Sequence, residues 1–158
     1  MAESLWRRVL FSGSHPRSGA PTEPVLPPVL AITVSAGDHT FYTGLRERRE
    51  WDIVITQTVP EALSLLALHA FPIVLCDRDL PGWDWREALT RIVERSPGSC
   101  FLLTSRVSDE FLWREVVMLG GYDVVARPLT EHAVTQTLQR AMYYCKTELR
   151  PPGVPPKT

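Results

Sequence analysis

Short apolar runs alternate with amphipathic stretches along most of the chain. The apolar runs predict β-strands, because a nearly continuous hydrophobic run of this length is typical of a strand buried on both faces. The five predicted strands are residues 29–34, 53–56, 73–76, 100–103 and 123–126. Helical spacing of apolar positions predicts five helices, near residues 38–48, 60–69, 85–95, 108–119 and 131–149. The order of elements is therefore (βα)5.

This order predicts the fold class. Alternating strands and helices, joined by right-handed crossovers, form a doubly wound parallel sheet with helices on both faces. We therefore expect one α/β domain built on a five-stranded parallel sheet. In such folds the functional crevice lies at the carboxyl ends of the strands. Asp77, Thr104 and Arg127 all fall at or just beyond a predicted strand end.

The two ends of the chain differ in composition from the middle. Residues 1–28 become rich in Ser, Gly and Pro after a short apolar and basic piece, so they are expected to form a flexible arm. Residues 150–158 are rich in proline and are expected to be a disordered tail. The domain is thus predicted to span residues 29–149, with no output domain after its last helix.

Composition and charge narrow the class of protein further. With 17 basic and 18 acidic residues the formal charge is -1, so we expect neither nucleic acid nor a membrane as a partner. No apolar run approaches the roughly 18 residues of a membrane-spanning helix. The cysteines, Cys76, Cys100 and Cys145, are odd in number and far apart in sequence, which favours reduced core residues over a disulfide or zinc site. A cytoplasmic protein is expected.

The segment 73–84 carries the most specific chemistry in the chain. A strand-like run ends in Asp77, and Asp79 and the turn residues of 80–84 follow. A carboxylate at the carboxyl end of a strand in an open α/β sheet is a plausible nucleophile for phosphoryl transfer, which needs little other covalent help from the protein. For any single aspartate in this place, a structural capping role is the competing explanation.

Residues 77–84 resemble the acceptor motif of response-regulator receiver domains, which are CheY-like, flavodoxin-like modules. The family motif is an aspartate, two variable residues, Met or Leu, Pro, Gly, a variable residue and Asp, and this chain reads Asp-Arg-Asp-Leu-Pro-Gly-Trp-Asp. The resemblance covers about residues 28–148. It implies that Asp77 accepts a phosphoryl group from a histidine kinase or phosphotransfer protein in two-component signalling.

Two further positions agree with this resemblance. Thr104 stands where receivers carry a Thr or Ser that hydrogen-bonds the phosphoryl group, and Arg127-Pro128 stands where they carry Lys-Pro, commonly with a cis bond. Arginine keeps the charge of lysine but is planar and forked, so the exchange is not conservative. The resemblance also implies a downstream protein partner at the surface of the fourth helix, fifth strand and fifth helix.

The segment 34–38 departs from the family pattern. Receivers place an acidic pair that binds magnesium after the first strand, and our alignment puts Ser35 and Ala36 at those positions, with Asp38 slightly further on. The resemblance then implies only weak Mg²⁺ binding, by Asp77 and Asp79, with help from Asp38 if its turn bends inward. The site predicted by resemblance therefore consists of Asp77, Thr104 and Arg127, with Asp38 and Asp79 beside the metal.

Three functional readings stay open. The first is a stand-alone receiver-like protein in a phosphorelay, without enzymatic turnover. The second is a pseudo-receiver in which Arg127 pairs with Asp77 or Asp79 and locks the site, leaving a phosphorylation-independent interaction module. The third is a haloacid-dehalogenase-type phosphatase, because residues 75–79 also resemble its Asp-x-Asp motif, with Asp77 as nucleophile and Asp79 as acid/base.

The fourth predicted helix carries an apolar stripe of Trp113, Val116, Val117 and Leu119. Its simplest explanation is the core-facing side of an amphipathic helix. Exposed members of the stripe would instead belong to the predicted partner surface.

Overall fold

The structure is a computed structural model and describes residues 25–147. Residues 1–24 of the predicted arm, the end of the last predicted helix and the whole predicted tail lie outside the described residues. Within them, none of the helices is both long enough and apolar enough to cross a bilayer.

Strands and helices alternate throughout the described chain. The strands are β1 (Pro28–Ile32), β2 (Asp52–Thr56), β3 (Ile73–Asp77), β4 (Cys100–Ser105) and β5 (Asp123–Ala126). The helices are α1 (Ala36–Glu47), α2 (Val59–Leu68), α3 (Trp85–Arg95), α4 (Glu110–Met118) and α5 (Glu131–Thr147). The predicted (βα)5 order and α/β class are confirmed. Two boundaries matter below, because β1 ends before the predicted residue 34 and β4 continues through Ser105.

The five strands form one parallel sheet in the order β2-β1-β3-β4-β5. Strand β3 is central and pairs with β1 on one side and β4 on the other. The register places Asp77 opposite Thr104, and Ser105 opposite Ala126. The chain leaves β1 toward one edge of the sheet and β3 toward the other, which opens a crevice at their carboxyl ends.

Hydrophobic side chains fill the space on both faces of the sheet. Because side chains alternate along a strand, Val29 and Ala31 pack on one face while Leu30 and Ile32 pack on the other. The first face is covered by α1 and α5, and the second by α2, α3 and α4. Burial on both faces explains why the strands read as apolar runs rather than as alternating patterns.

Helix α4 packs differently from the prediction. Its buried residues are Leu112 and Val116, whose i, i+4 spacing aims both at the sheet. Trp113, Val117 and Leu119 are 44%, 40% and 37% exposed. The predicted core stripe is therefore wrong for three of its four members. The helix contacts the sheet along one narrow line, and residues that lie a sixth to a third of a turn from this line face outward.

The three cysteines are buried and free, as predicted. Packing of α5 on the sheet brings Cys145 next to Cys100, with 3.0 Å between the two Sγ atoms. The hydrogen bond between these thiols raises the pKa of Cys100 and lowers that of Cys145. Cys100 and Cys145 are thus far apart in sequence but in contact in the folded chain.

Candidate functional site

Asp77 is the last residue of β3 and stands at the centre of the carboxyl edge of the sheet. Asp77 is buried, at 7% exposure, and so is the apolar Cys76 that precedes it. The Oδ1 atom accepts a hydrogen bond of 3.0 Å from the backbone N–H of Asp79. The Oδ2 atom lies 3.1 Å from Nη2 of Arg127. Each oxygen of the carboxylate is thus oriented by a separate donor.

The turn after Asp77 is built by the other residues of the motif. Leu80 is buried beside α3 and anchors the turn to the core. Gly82 has a φ of 74°, a left-handed conformation that glycine adopts without strain. Asp84 caps α3 by accepting a hydrogen bond of 2.8 Å from the backbone N–H of Arg86. Much of the motif therefore serves to hold the turn that presents Asp77.

Thr104 lies directly beside Asp77 on the neighbouring strand. Its residue is almost completely buried, and its Oγ1 accepts a hydrogen bond of 3.0 Å from Nη2 of Arg127. Because the hydroxyl is the acceptor in this bond, its own proton is left to donate elsewhere.

Arg127 follows β5 directly and reaches across the crevice. Its backbone N–H donates to the carbonyl of Ser105 at 2.9 Å, and its peptide bond to Pro128 is cis, as the resemblance implied. The Nη2 atom contacts Oδ2 of Asp38 at 2.5 Å as well as Asp77 and Thr104. The side chain is only 14% exposed, so this single nitrogen connects three polar groups away from bulk water.

Asp38 does turn into the site, although it belongs to a helix rather than to a loop. It lies in the first turn of α1 and is buried. Its Oδ2 accepts a hydrogen bond of 3.0 Å from the hydroxyl of Thr33 in addition to the contact with Arg127. Ser35 does not enter the crevice but caps α1 by accepting a hydrogen bond of 3.3 Å from the backbone N–H of Asp38.

Thr33 is a site residue that the sequence analysis missed. Strand β1 ends at Ile32, so the first buried polar side chain after the strand is Thr33 rather than Ser35 or Ala36. The available signal was a hydroxyl residue directly after an apolar run and five residues before an aspartate. A β-strand predicted too long at its carboxyl end concealed it.

Asp79 contributes to the site through its backbone rather than its carboxylate. Its N–H holds Asp77, while the residue itself is exposed. The ion pairs formed by Arg127 within residues 25–147 are with Asp38 and Asp77 rather than with Asp79. The ion pair considered for Arg127 in the sequence analysis is thus formed with Asp77 rather than Asp79, and a second ion pair is formed with Asp38.

The neighbouring titratable groups beneath the crevice stay neutral. Burial raises the pKa of the Tyr42 phenol far above its ordinary value, and the nearby Asp38 raises it further. Burial also raises the pKa of the Cys76 thiol, and Asp77 adds to this effect. Neither group is a ready nucleophile at neutral pH, so the carboxylates carry the nucleophilic chemistry available here.

Magnesium fits this arrangement poorly. Among the described residues there is no cluster of three or more His, Cys, Asp or Glu side chains arranged to hold a metal ion. Mg²⁺ requires near-octahedral oxygen ligands at about 2.0–2.1 Å. The two carboxylate oxygens that face each other, on Asp38 and Asp77, are already bonded to the cationic Nη2 of Arg127. The residues present therefore do not fit the metal while Arg127 occupies this position.

The sequence matches no protein-family model and no curated protein. In structure it is similar to the signal receiver domain of an HD-domain-containing protein from Pseudomonas fluorescens, with a TM-score of 0.71 and 20% identity over 83% of this chain and 97% of that one. It is also similar to the chemotaxis protein CheY4 of Vibrio cholerae, with a TM-score of 0.68 and 16% identity over 74% of this chain and 99% of that one. The chain has the fold of a response-regulator receiver domain.

A third similar structure is a CheY-like response-regulator receiver domain protein from Methanospirillum hungatei, with a TM-score of 0.67 and 16% identity over 78% of this chain and 99% of that one. The match extends over nearly the whole length of each of these three chains. The receiver fold predicted from the sequence is therefore confirmed. Asp77 ends the central strand, Thr104 lies opposite it on β4, and Arg127, directly after β5, contacts both side chains.

Proposed function

We propose that this protein is a receiver-type signalling module in which Asp77 accepts a phosphoryl group from a histidine kinase or phosphotransfer protein. The observation that carries the proposal is the convergence of Asp77, Thr104 and Arg127. Both the carboxylate Oδ2 and the hydroxyl Oγ1 lie within 3.1 Å of the same guanidinium nitrogen. A nucleophile, a hydroxyl and a cation thus surround one point, as phosphoryl transfer requires.

The proposed reaction uses the side chains of Asp77, Thr104 and Arg127. An oxygen of the Asp77 carboxylate attacks phosphorus in the donor's phosphohistidine, and the P–N bond breaks with its electron pair passing to the imidazole. The product is an aspartyl phosphate. The Thr104 hydroxyl donates a hydrogen bond to a phosphoryl oxygen, and Arg127 offsets the negative charge of the phosphoryl group.

The proposed output is a contact with a downstream protein at the surface of α4, β5 and α5. This surface borders the site, since Arg127 follows β5 and Thr104 lies on the strand next to it. It also exposes large apolar side chains, namely Phe111, Trp113, Met118 and Tyr144. Large exposed apolar side chains are typical of protein-binding surfaces.

A second candidate function is supported by the double ion pair of Arg127. A guanidinium that already bonds both carboxylates at 2.5 and 3.1 Å holds the crevice in one arrangement without any phosphoryl group. The protein would then be a pseudo-receiver, a phosphorylation-independent module that binds its partner constitutively.

Intact-protein mass spectrometry after incubation with acetyl phosphate tests the proposal. We expect the wild type to gain the mass of one phosphoryl group, in a form that is labile at alkaline pH, and Asp77→Asn to gain none. Asp79→Asn is the matched control, because this carboxylate is exposed and only the backbone of Asp79 contacts the site. A gain in the control and wild type but not in Asp77→Asn supports phosphorylation at Asp77.

Two other results would overturn it. If the wild type gains no mass at saturating acetyl phosphate, with or without Mg²⁺, the pseudo-receiver function replaces the proposed one. If the protein instead turns over p-nitrophenyl phosphate at a rate that Asp77→Asn abolishes, it is a phosphatase, as the resemblance of residues 75–79 to the Asp-x-Asp motif would imply.

A further inference from the structure

We infer that the guanidinium of Arg127 replaces the divalent cation in this site, so that the site accepts a phosphoryl group without magnesium. The inference deepens the proposed function and rests on it for the phosphoryl step. Its other half, competition between Arg127 and Mg²⁺ for the carboxylates, stands on geometry alone.

The two carboxylates are bridged by one cationic nitrogen. Nη2 of Arg127 lies 2.5 Å from Oδ2 of Asp38 and 3.1 Å from Oδ2 of Asp77. A magnesium ion bound by the same two oxygens would lie within a few ångströms of the guanidinium, and like charges at that distance repel strongly where water is scarce. Arg127 and Mg²⁺ are therefore alternative occupants of one position.

The guanidinium is held in that position from several sides. Thr104 accepts a further bond from Nη2, and Thr33 donates to the carboxylate of Asp38 and so fixes its orientation. The backbone of Arg127 is tied to Ser105 at the end of β4. With a side chain only 14% exposed, Arg127 is a built-in part of the crevice rather than a surface charge near it.

One donor of the same side chain has no acceptor. Nε of Arg127 is buried and makes no hydrogen bond within the described part of the chain. Buried donors are almost always paired with protein or with ordered water, so Nε has the capacity to bind a further acceptor. Because Nε belongs to the same rigid fork as the nitrogen beside Asp77, an oxygen of a phosphoryl group on Asp77 is the acceptor that fits, in the bidentate manner in which arginine binds phosphate.

The transfer step balances without a metal. With acetyl phosphate as donor, an oxygen of Asp77 forms a bond to phosphorus, and the bond between phosphorus and the acetate oxygen breaks. Acetate leaves with the electron pair, and no proton or electron is exchanged with a further reagent. The charge that gathers on the phosphoryl oxygens meets the guanidinium of Arg127 and the hydroxyl proton of Thr104.

The first test is a Mg²⁺ titration followed by the ¹H–¹⁵N spectrum, with the amide of Asp79 as reporter because it donates to the Asp77 carboxylate. We expect Arg127→Ala to bind Mg²⁺ at least tenfold more tightly than the wild type. Arg140→Ala is the matched control, because Arg140 pairs with Asp123 at 3.7 Å, outside the crevice. Arg127→Gln, which also removes the charge, serves as a second variant should the alanine variant not fold.

Mg²⁺ affinity that is equal in the wild type and the Arg127 variants would overturn the inference. Tighter Mg²⁺ binding by the wild type than by the Arg127 variants would overturn it as well. A gain in Arg140→Ala as large as that in Arg127→Ala would also contradict it, since the effect would then reflect net charge alone.

The second test compares acetyl phosphate labelling in excess EDTA with labelling in Mg²⁺. We expect the wild type to gain the mass of one phosphoryl group to the same extent in both conditions. Labelling that disappears in EDTA overturns the inference while leaving phosphorylation of Asp77 intact. Absence of labelling in both conditions contradicts the proposed function instead, and the Mg²⁺ titration then still decides whether Arg127 occupies the cation position.

Discussion

Arg127 contacts three polar groups of the crevice through one nitrogen. A lysine is a compact point charge on a flexible stem, whereas arginine carries five donors in a planar fork. The fork lets Arg127 contact Asp38, Asp77 and Thr104 through one nitrogen, while its buried Nε has no hydrogen-bond partner among the described residues. The charge of Arg127 and a possible pair with Asp77 followed from the sequence, but the shared contact of one nitrogen with Asp38 and Thr104 did not.

Two adjacent glycines after α4 serve different purposes. Gly120 ends the helix in a left-handed conformation, with a φ of 99°. Gly121 is needed for close packing, because a Cβ placed there would lie 2.5 Å from Cγ1 of Val116 and 2.9 Å from its carbonyl oxygen. Adjacent identical residues are thus constrained by conformation in one case and by space in the other.

Gly121→Ala is therefore expected to destabilise the protein by about 1–3 kcal/mol, the typical cost of overpacking. Gly98→Ala is the control, because a Cβ at that position has no atom within 4 Å. It should leave the free energy of unfolding within about 0.5 kcal/mol of the wild type. Urea unfolding measures both, and equal losses in the two variants would show that Val116 moves aside without cost.

Helix α4 illustrates what can be predicted for a whole element. Its position in the chain and its approximate length follow from the spacing of apolar residues and from its flanking cap and glycine signals. The face that it buries does not, because more apolar residues are available than the contact with the sheet can cover. Only the docked helix shows that Leu112 and Val116 face inward while Phe111, Trp113 and Met118 face outward.

Two neighbouring residues of α4 should consequently differ sharply in their contribution to stability. Leu112→Ala leaves a cavity under the helix and is expected to cost about 2–5 kcal/mol in the free energy of unfolding. Phe111→Ala should change it by less than about 0.5 kcal/mol, because Phe111 is 84% exposed. Urea unfolding of the two variants checks this contrast. A similar loss for Phe111→Ala would mean that its ring contributes to the fold.

At the scale of the whole molecule, both faces of the sheet bury titratable side chains, and burial favours their neutral, protonated forms. Tyr42 beneath the crevice is the largest of them, and burial raises its pKa well above the ordinary value of 10.0. Above that pH the folded state retains a proton that the unfolded chain releases. The stability that the buried Tyr42 phenol contributes is therefore fully present below about pH 10 and is lost as the pH rises further.

Urea unfolding at a series of pH values from about 8 to 11 tests this expectation, since the range brackets the tyrosine pKa of the unfolded chain. The wild type should lose stability with increasing pH at the upper end of the range. Tyr42→Phe removes the titrating group and should lose less between the same pH values, whatever its stability at neutral pH. Parallel pH profiles for the two proteins would assign the alkaline loss to other groups, such as the buried thiols.

The sequence by itself determined the element order, the parallel α/β fold and the place of Asp77, Thr104 and Arg127 at strand ends. These features depend on periodicity, turn residues and short motifs, which act over a few neighbouring residues and are therefore visible in the chain. The short acceptor motif is informative because each of its residues has a local task, such as the positive φ of Gly82 and the capping of α3 by Asp84.

The tertiary structure alone decided which of these residues meet. Asp38 and Arg127 lie near opposite ends of the described chain, and they bond because the strand order brings β1 and β5 to the same crevice around β3. The packing of α5 on the sheet likewise places Cys145 against Cys100. Such contacts depend on register, strand order and helix docking. These are set by the packing of the whole core, so no local pattern in the sequence records them.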